Sequence, residues 1–214
     1  MKKVVLIGDS IRLGYDKYIR NALGGVATVC SPEENCRFAQ YVLRYAHEWK
    51  IAGEWGDDVD VVHWNAGLWD ALRLFGEDPF TPLPFYADTL KRVHKRLRLL
   101  FPKAKIIFAT STAVQEEKYN GDFKRYNSEI REYNKTALEA LKGLDVDIND
   151  LYSITENAPD ECWSDMTHFN TSAGVKLVGE KVLSVLCVAL GVDRNSLKDA
   201  KAEVNKVSDK ILGY

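Results

Sequence analysis

Short aliphatic runs alternate along this chain with longer stretches whose apolar residues recur every three or four positions, and that alternation constrains the fold more than any other feature. The runs 3–7, 26–30, 59–64, 104–109 and 146–148 are rich in Val and Ile, and the third is apolar on both faces, as strands inside a parallel sheet are. Between and after them, 11–23, 37–50, 82–101, 122–142 and 172–190 read as amphipathic helices. Gly24-Gly25, Pro102 and Gly143 stand where three of these helices should stop, and Pro82 and Pro84 suit a helix's first turn. In 122–142 the residues Phe123, Tyr126, Ile130, Tyr133, Ala137 and Leu141 share one stripe. Thr171 or Asn170 can cap the helix over 172–190. Such alternation predicts an α/β fold, a parallel sheet with helices on both faces and right-handed crossovers. No linker or repeat interrupts it, so residues 1–214 read as one domain, with 191–214 a polar peripheral helix. The segments 66–82 and 110–121 follow strands at their carboxyl ends, the edge where open α/β sheets bind ligands.

Composition narrows the partners. The net charge is −2, with 29 basic against 31 acidic side chains, which gives no basic surface for a nucleic acid. The apolar run after Met1 reaches only from Val4 to Ile7, short of a secretory segment, and no stretch approaches the ~20 residues that span a bilayer. Cys30, Cys36, Cys162 and Cys187 form no CxxC pair and have no His at zinc spacing. They read as reduced thiols in a cytoplasmic protein. His47, His63 and His94 sit inside helix or strand patterns and read as solvated or hydrogen-bonded rather than metal-binding.

Two motifs carry chemistry. In Gly8-Asp9-Ser10 a buried strand ends in Gly, and a Ser stands at the entry of the first helix. Backbone N–H groups at a helix N-terminus favour negative charge, so an oxyanion can rest there. Taken alone, Asp9 and Ser10 read sooner as plain helix caps than as a catalytic site. Near the other end, Asp165-Met166-Thr167-His168 places a carboxylate three residues before an imidazole. The carboxylate can orient one ring nitrogen while the other takes a proton from a hydroxyl. Alone it reads equally as an Asp turn beside a helix start. A hydroxyl, an imidazole and a carboxylate brought over one sheet edge are what serine hydrolysis requires.

With both motifs in place the chain resembles the SGNH/GDSL hydrolases. The first block is Gly8-Asp9-Ser10 followed by Ile11 where Leu is usual, the last is Asp165-Met166-Thr167-His168, and Asn170 and Gly174 occupy positions where the family often has Asn and Gly. The resemblance spans residues 3 to about 190. It implies a three-layer α/β/α flavodoxin-like fold with a five-stranded parallel sheet. It also implies a serine esterase in which Ser10 is the nucleophile, His168 the general base and then acid, and Asp165 the orienting carboxylate.

The middle blocks depart from the family. After the third strand the chain reads Trp64-Asn65-Ala66-Gly67-Leu68-Trp69-Asp70, and Trp69 replaces the Asn expected two residues after Gly67. Asn65 at the strand end is then the expected side-chain donor to the oxyanion, beside the Ser10 N–H. The second block, Ser31 to Arg37, lacks its Gly, leaving the N–H of Asn35 or of Cys36 as the third donor. Asp9, Gly67, Trp69 and Trp163 are candidate substrate-binding residues, although aromatic side chains at a sheet edge are as often core. The resemblance implies no metal or cofactor, and a small ester as partner. A short acyl group, acetyl on a carbohydrate, is the expected substrate. A lysophospholipase or thioesterase, and a noncatalytic ligand-binding relative, are the alternatives.

Overall fold

The computed structural model describes residues 1–197 and 200–204. In chain order it contains β1 (Lys2–Ile7), α1 (Ser10–Ala22), β2 (Ala27–Cys30), α2 (Ala39–Ala52), β3 (Val61–Trp64), β4 (Arg73–Leu74) and α3 (Leu83–Leu100). There follow β5 (Lys105–Ala109), β6 (Phe123–Lys124), α4 (Asn127–Leu141), β7 (Asp147–Asn149), the single turn α5 (Tyr152–Thr155) and α6 (Ser172–Leu190). Five strands form one parallel sheet in the order β2-β1-β3-β5-β7. The helices α1 and α6 pack together on one face, while α2, α3 and α4 pack in a row on the other. The fold is therefore a three-layer α/β/α sandwich.

Covering both faces explains the strand sequences. Val4, Val5, Leu6 and Ile7 of β1 and Val61, Val62 and Trp64 of β3 are wholly buried, and the Trp64 ring meets Phe108 edge-on at 4.9 Å. Complete burial of each such side chain stabilises the fold by roughly 1.5–3 kcal/mol. The chain leaves β1 for β2 on one side and reaches β3 on the other. A crevice thus opens at the carboxyl ends of β1 and β3. Ser10 follows the first of these strands and Asn65 the second.

Two expectations are corrected. The helix expected from residue 122 begins at Asn127, because Phe123 and Lys124 pair antiparallel with Leu74 and Arg73 in a two-stranded ribbon. That ribbon ties the long segment after β3 to the one after β5. Beyond α6 the described residues show only a 3-10 turn at Arg194–Ser196, not the helix expected over 191–214. Gly191 ends α6 at φ +68, and Asp193 accepts the Asn195 N–H to start the turn. The remainder of that expectation, 198–199 and 205–214, lies outside the described residues. Thr171, rather than Asn170, caps α6 by accepting the Gly174 N–H at 3.0 Å. Among the described residues no helix is long and apolar enough to cross a membrane.

Candidate active site

Ser10 is the first residue of α1, capped by Asp9, whose Oδ1 accepts the Ile11 N–H at 3.0 Å. The approach to this turn requires glycine at position 8, since a Cβ there would lie 2.0 Å from Asn65 Oδ1 and 2.8 Å from Arg12 Cβ. Asn65 therefore lies directly over the strand end that delivers Ser10. The His168 ring completes a hydrogen-bonded series. Its Nδ1 is 2.8 Å and 3.0 Å from the two Asp165 oxygens, and its Nε2 is 2.8 Å from Ser10 Oγ. With Nδ1–H donating to the carboxylate, Nε2 is left to accept the Ser10 hydroxyl proton.

The carboxylate is itself held. Asp165 Oδ1 accepts the backbone N–H groups of Thr167 at 2.7 Å and His168 at 2.9 Å. Burial alone would raise the Asp165 carboxyl. The hydrogen bond and charge of His168 and these two N–H groups outweigh it, so the carboxyl lies below its usual range. Ser10 and His168 are buried, 5% and 3% exposed, whereas the Asp165 side chain is 31% exposed. The ring is thus shielded and its partner partly wet. Behind them a cavity of about 10 Å³, walled by Ile11, Tyr15, Phe169, Val175 and Val178, has room for about one water molecule.

The loop carrying Asp165 and His168 is fastened to the segment after β5, which side chains of α4 hold in turn. Asn127 and Asn134, two turns apart, each clamp one residue of the segment after β5: Asn127 bonds both the N–H and the C=O of Val114, and Asn134 those of Ser111. Gln115 N–H then donates to Met166 C=O at 2.8 Å. Arg125 donates from Nε to Leu68 C=O at 2.6 Å and from Nη1 to Tyr119 OH at 3.4 Å, and Tyr119 OH shares a 2.6 Å hydrogen bond with Thr167 Oγ1. None of these roles was read from the sequence. Arg125 and Asn127 fell inside the expected helix, where a polar residue looks like solvated surface. The seven-residue Asn spacing was the one available signal.

The other site residues fare unequally. The Cys36 N–H donates to Gly8 C=O at 3.1 Å, which corrects its expected role as oxyanion donor: the bond anchors the 31–37 loop on the end of β1. Its thiol is buried, and burial pushes it up to about 11 against the pull of Arg12, so it is no nucleophile near neutral pH. Asn35 is buried and its Oδ1 accepts the Arg37 N–H at 2.9 Å, shaping the same loop. Gly67 sits at φ +149, and a Cβ there would meet Ser111 Oγ at 2.2 Å and Tyr86 OH at 3.0 Å, so the structure gives it a packing reason to be glycine. Trp69 is half-buried, with the Arg125 guanidinium 6.0 Å over its ring. Trp163 packs on Phe169 at 4.1 Å, and its indole N–H donates to Ala158 C=O.

Two buried acids and one buried histidine complete the surroundings. Asp9 is raised by burial, partly offset by the Asn65 amide, the Ile11 N–H and the charges of Arg125 and His168. Asp70, wholly buried, accepts the Ala39 N–H at 3.1 and 3.3 Å and so caps α2, whose N-cap residue Phe38 has no side chain able to do so. Burial pushes Asp70 up to about 7, against the pull of Thr81 and of the Ala39 N–H. His63 on β3 lies 3.0 Å from the Asn149 side-chain amide and 3.5 Å from Tyr15 OH, and burial pushes it down to about 3.

A doubly wound sheet with hydroxyl, imidazole and carboxylate in series at its carboxyl edge is an arrangement that α/β hydrolytic enzymes use. More closely, the family model "GDSL-like Lipase/Acylhydrolase" matches residues 4–182, and the chain belongs to that family. Among solved structures it is similar to a lipase/acylhydrolase from Enterococcus faecalis, with 18% identity, TM-score 0.68, and 93% of this chain and 98% of that one covered. A carbohydrate esterase family 3 protein from Talaromyces cellulolyticus is 15% identical, with TM-score 0.69 and coverage of 89% and 99%. A catalytic mutant of an acetylxylan esterase from Geobacillus stearothermophilus is 15% identical, with TM-score 0.66 and coverage of 90% and 95%. At these identities the likeness concerns the fold. No curated protein sequence matches the chain.

Proposed function

We propose that this protein is a serine esterase that cleaves short acyl esters, acetyl groups on a carbohydrate foremost, through Ser10, His168 and Asp165. The observation that carries the reading is the unbroken series Asp165 carboxylate, His168 imidazole, Ser10 hydroxyl, with both links at 2.8 Å. Ser10 Oγ attacks the ester carbonyl while His168 Nε2 takes its proton. The tetrahedral oxyanion rests on the Ser10 N–H, the Asn65 amide and a backbone N–H of the second loop at Asn35. The carbonyl reforms, the C–O bond to the alcohol breaks, and His168 returns the proton to the leaving alkoxide. Water then enters, gives a proton to His168 and attacks the acyl-enzyme. The acid departs as Ser10 recovers its proton. Asp165 keeps the imidazole in the required tautomer and steadies its charge. None of these steps draws on a metal or an organic cofactor.

The short acyl group is supported by the near-complete burial of Ser10 and His168 and by the small size, about 10 Å³, of the cavity that they line. The carbohydrate alcohol is supported by the esterases among the similar structures. A fluorophosphonate probe followed by peptide mass spectrometry tests the nucleophile. Labelling should map to Ser10, and labelling elsewhere, or none, overturns the reading.

A further inference from the structure

Arg125 is 6% exposed and lies between the loops that surround the candidate active site. Its Nε and Nη1 donate to neutral oxygens, those of Leu68 and Tyr119, and it forms no ion pair among the described residues. Arg12, 1% exposed, shows the ordinary arrangement instead, with Asp16 at 2.9 Å. A buried guanidinium without a carboxylate is unfavourable unless something else supplies the negative charge. Its fork of donors fits a planar carboxylate. Neither Leu68 C=O nor Tyr119 OH supplies that charge.

We infer that Arg125 is a specificity residue for a carboxylate on the substrate, so that the preferred ester carries an anionic group a few bonds from the carbonyl that Ser10 attacks. This rests on the esterase reading above. The place of Arg125 supports it. The guanidinium covers Trp69, bonds the carbonyl of Leu68 beside it, and reaches the Asp165–His168 loop through Tyr119 and Thr167. Of the two cationic groups that pull on the Asp9 carboxyl next to Ser10, Arg125 ranks ahead of His168. A substrate carboxylate entering over Trp69 would supply the missing charge with its reacting carbonyl near Ser10.

The test compares 4-nitrophenyl acetate with the mono-4-nitrophenyl ester of succinic acid, on wild type, Arg125→Gln and Arg125→Lys. Comparing the ratio of kcat/KM for the two esters between variants cancels their intrinsic reactivities. The ratio of succinyl to acetyl ester should fall about 10- to 100-fold in Arg125→Gln, mainly through KM, and less in Arg125→Lys, because a charged hydrogen bond to the substrate is lost in the first and partly kept in the second. A ratio unchanged in Arg125→Gln, with both esters slowed alike, assigns Arg125 to loop positioning and overturns the inference. Calorimetric titration of succinate into wild type and Arg125→Gln is a second readout. Binding by wild type that the variant loses supports the anion site even if neither ester is cleaved and Ser10 resists the fluorophosphonate, results that would sink the esterase reading alone. Absence of succinate binding by wild type, with no preference between the esters that depends on Arg125, overturns the anion site.

Discussion

The Nε2 of His168 stands 2.8 Å from the Oγ of Ser10 across 158 residues of sequence. Two different anchors produce this approach. Ser10 is fixed by the end of β1 and the cap of α1, and His168 by a loop that Asp165 stiffens from within through two backbone N–H groups. Ser10→Ala should therefore lower kcat for 4-nitrophenyl acetate by at least ~10³-fold while shifting Tm by only a few degrees, since it removes one hydroxyl. His168→Ala should match it, and the double variant should be little worse than either, because residues that act as a unit are non-additive. Independent, multiplicative losses in the double variant would mean the two do not share one step.

Asp165→Asn separates orientation from charge. The amide keeps the size of the carboxylate but can present an N–H to Nδ1, which would favour the tautomer with its proton on the wrong nitrogen. A loss of about 10²- to 10⁴-fold in kcat with KM nearly unchanged is the expected result. A loss below tenfold would show that Asp165 serves mainly to shape the loop through its bonds to Thr167 and His168.

In the proposed mechanism Asn65 supplies, from two residues before Gly67, the side-chain donor that the family places two residues after it. Asn65→Ala should lower kcat by about 10²–10³, the usual worth of one oxyanion donor, with a smaller effect on KM. Because the Asn65 side chain also fills the space above Gly8, the variant's Tm has to be measured alongside. Loss of stability without loss of kcat would make Asn65 a packing residue and leave the oxyanion to backbone donors.

How far the sequence foretold this site follows from what each feature depends on. The sheet was legible because parallel strands buried on both faces read as continuous aliphatic runs, and all five appear within two residues of expectation. Ser10, Asp165 and His168 were legible because their chemistry sits in two contiguous motifs. What was not legible is what long-range pairing decides. Phe123 and Lys124 carry the stripe of a helix but pair with residues 73–74, some fifty positions away, so α4 starts late and Arg125 is turned inward. The Cys36 N–H looked available because nothing in the sequence says that Gly8 C=O will engage it. Asp70 looked like part of a motif, whereas its role is to cap a helix that begins thirty-one positions earlier.

His63 predicts an acid limb of stability. Burial pushes its folded-state pKa down to about 3 from the ordinary 6.5, so the folded protein binds fewer protons than the unfolded chain between those values. The stability tied to its neutral form is present above pH 6.5 and is lost as pH falls towards 3, by about 5 kcal/mol at most. His63→Gln keeps an amide partner for Asn149 and cannot charge. Urea midpoints at pH 7, 5.5 and 4.5 should fall less steeply for the variant, and parallel curves would exclude His63 as the acid-sensitive group.

Asp70 acts with the opposite sign. Its folded pKa is raised to about 7 from 3.8, so between these values the folded protein holds a proton that the unfolded chain releases. The stabilising difference is full below pH 3.8 and is lost as pH rises through 7; above that the folded protein carries a buried carboxylate held by the Ala39 N–H. Asp70→Asn imitates the protonated acid. Its side-chain oxygen can still cap α2 through Ala39, and its NH₂ can turn towards Thr81. The variant should match wild type below pH 3.8, pull ahead as pH rises past that value, and exceed it at pH 8 by a few kcal/mol, read as a higher urea midpoint. Should Asp70→Asn instead be the less stable protein at pH 8, the charge itself holds the N-terminus of α2, and the attraction between that carboxylate and the helix end outweighs its burial.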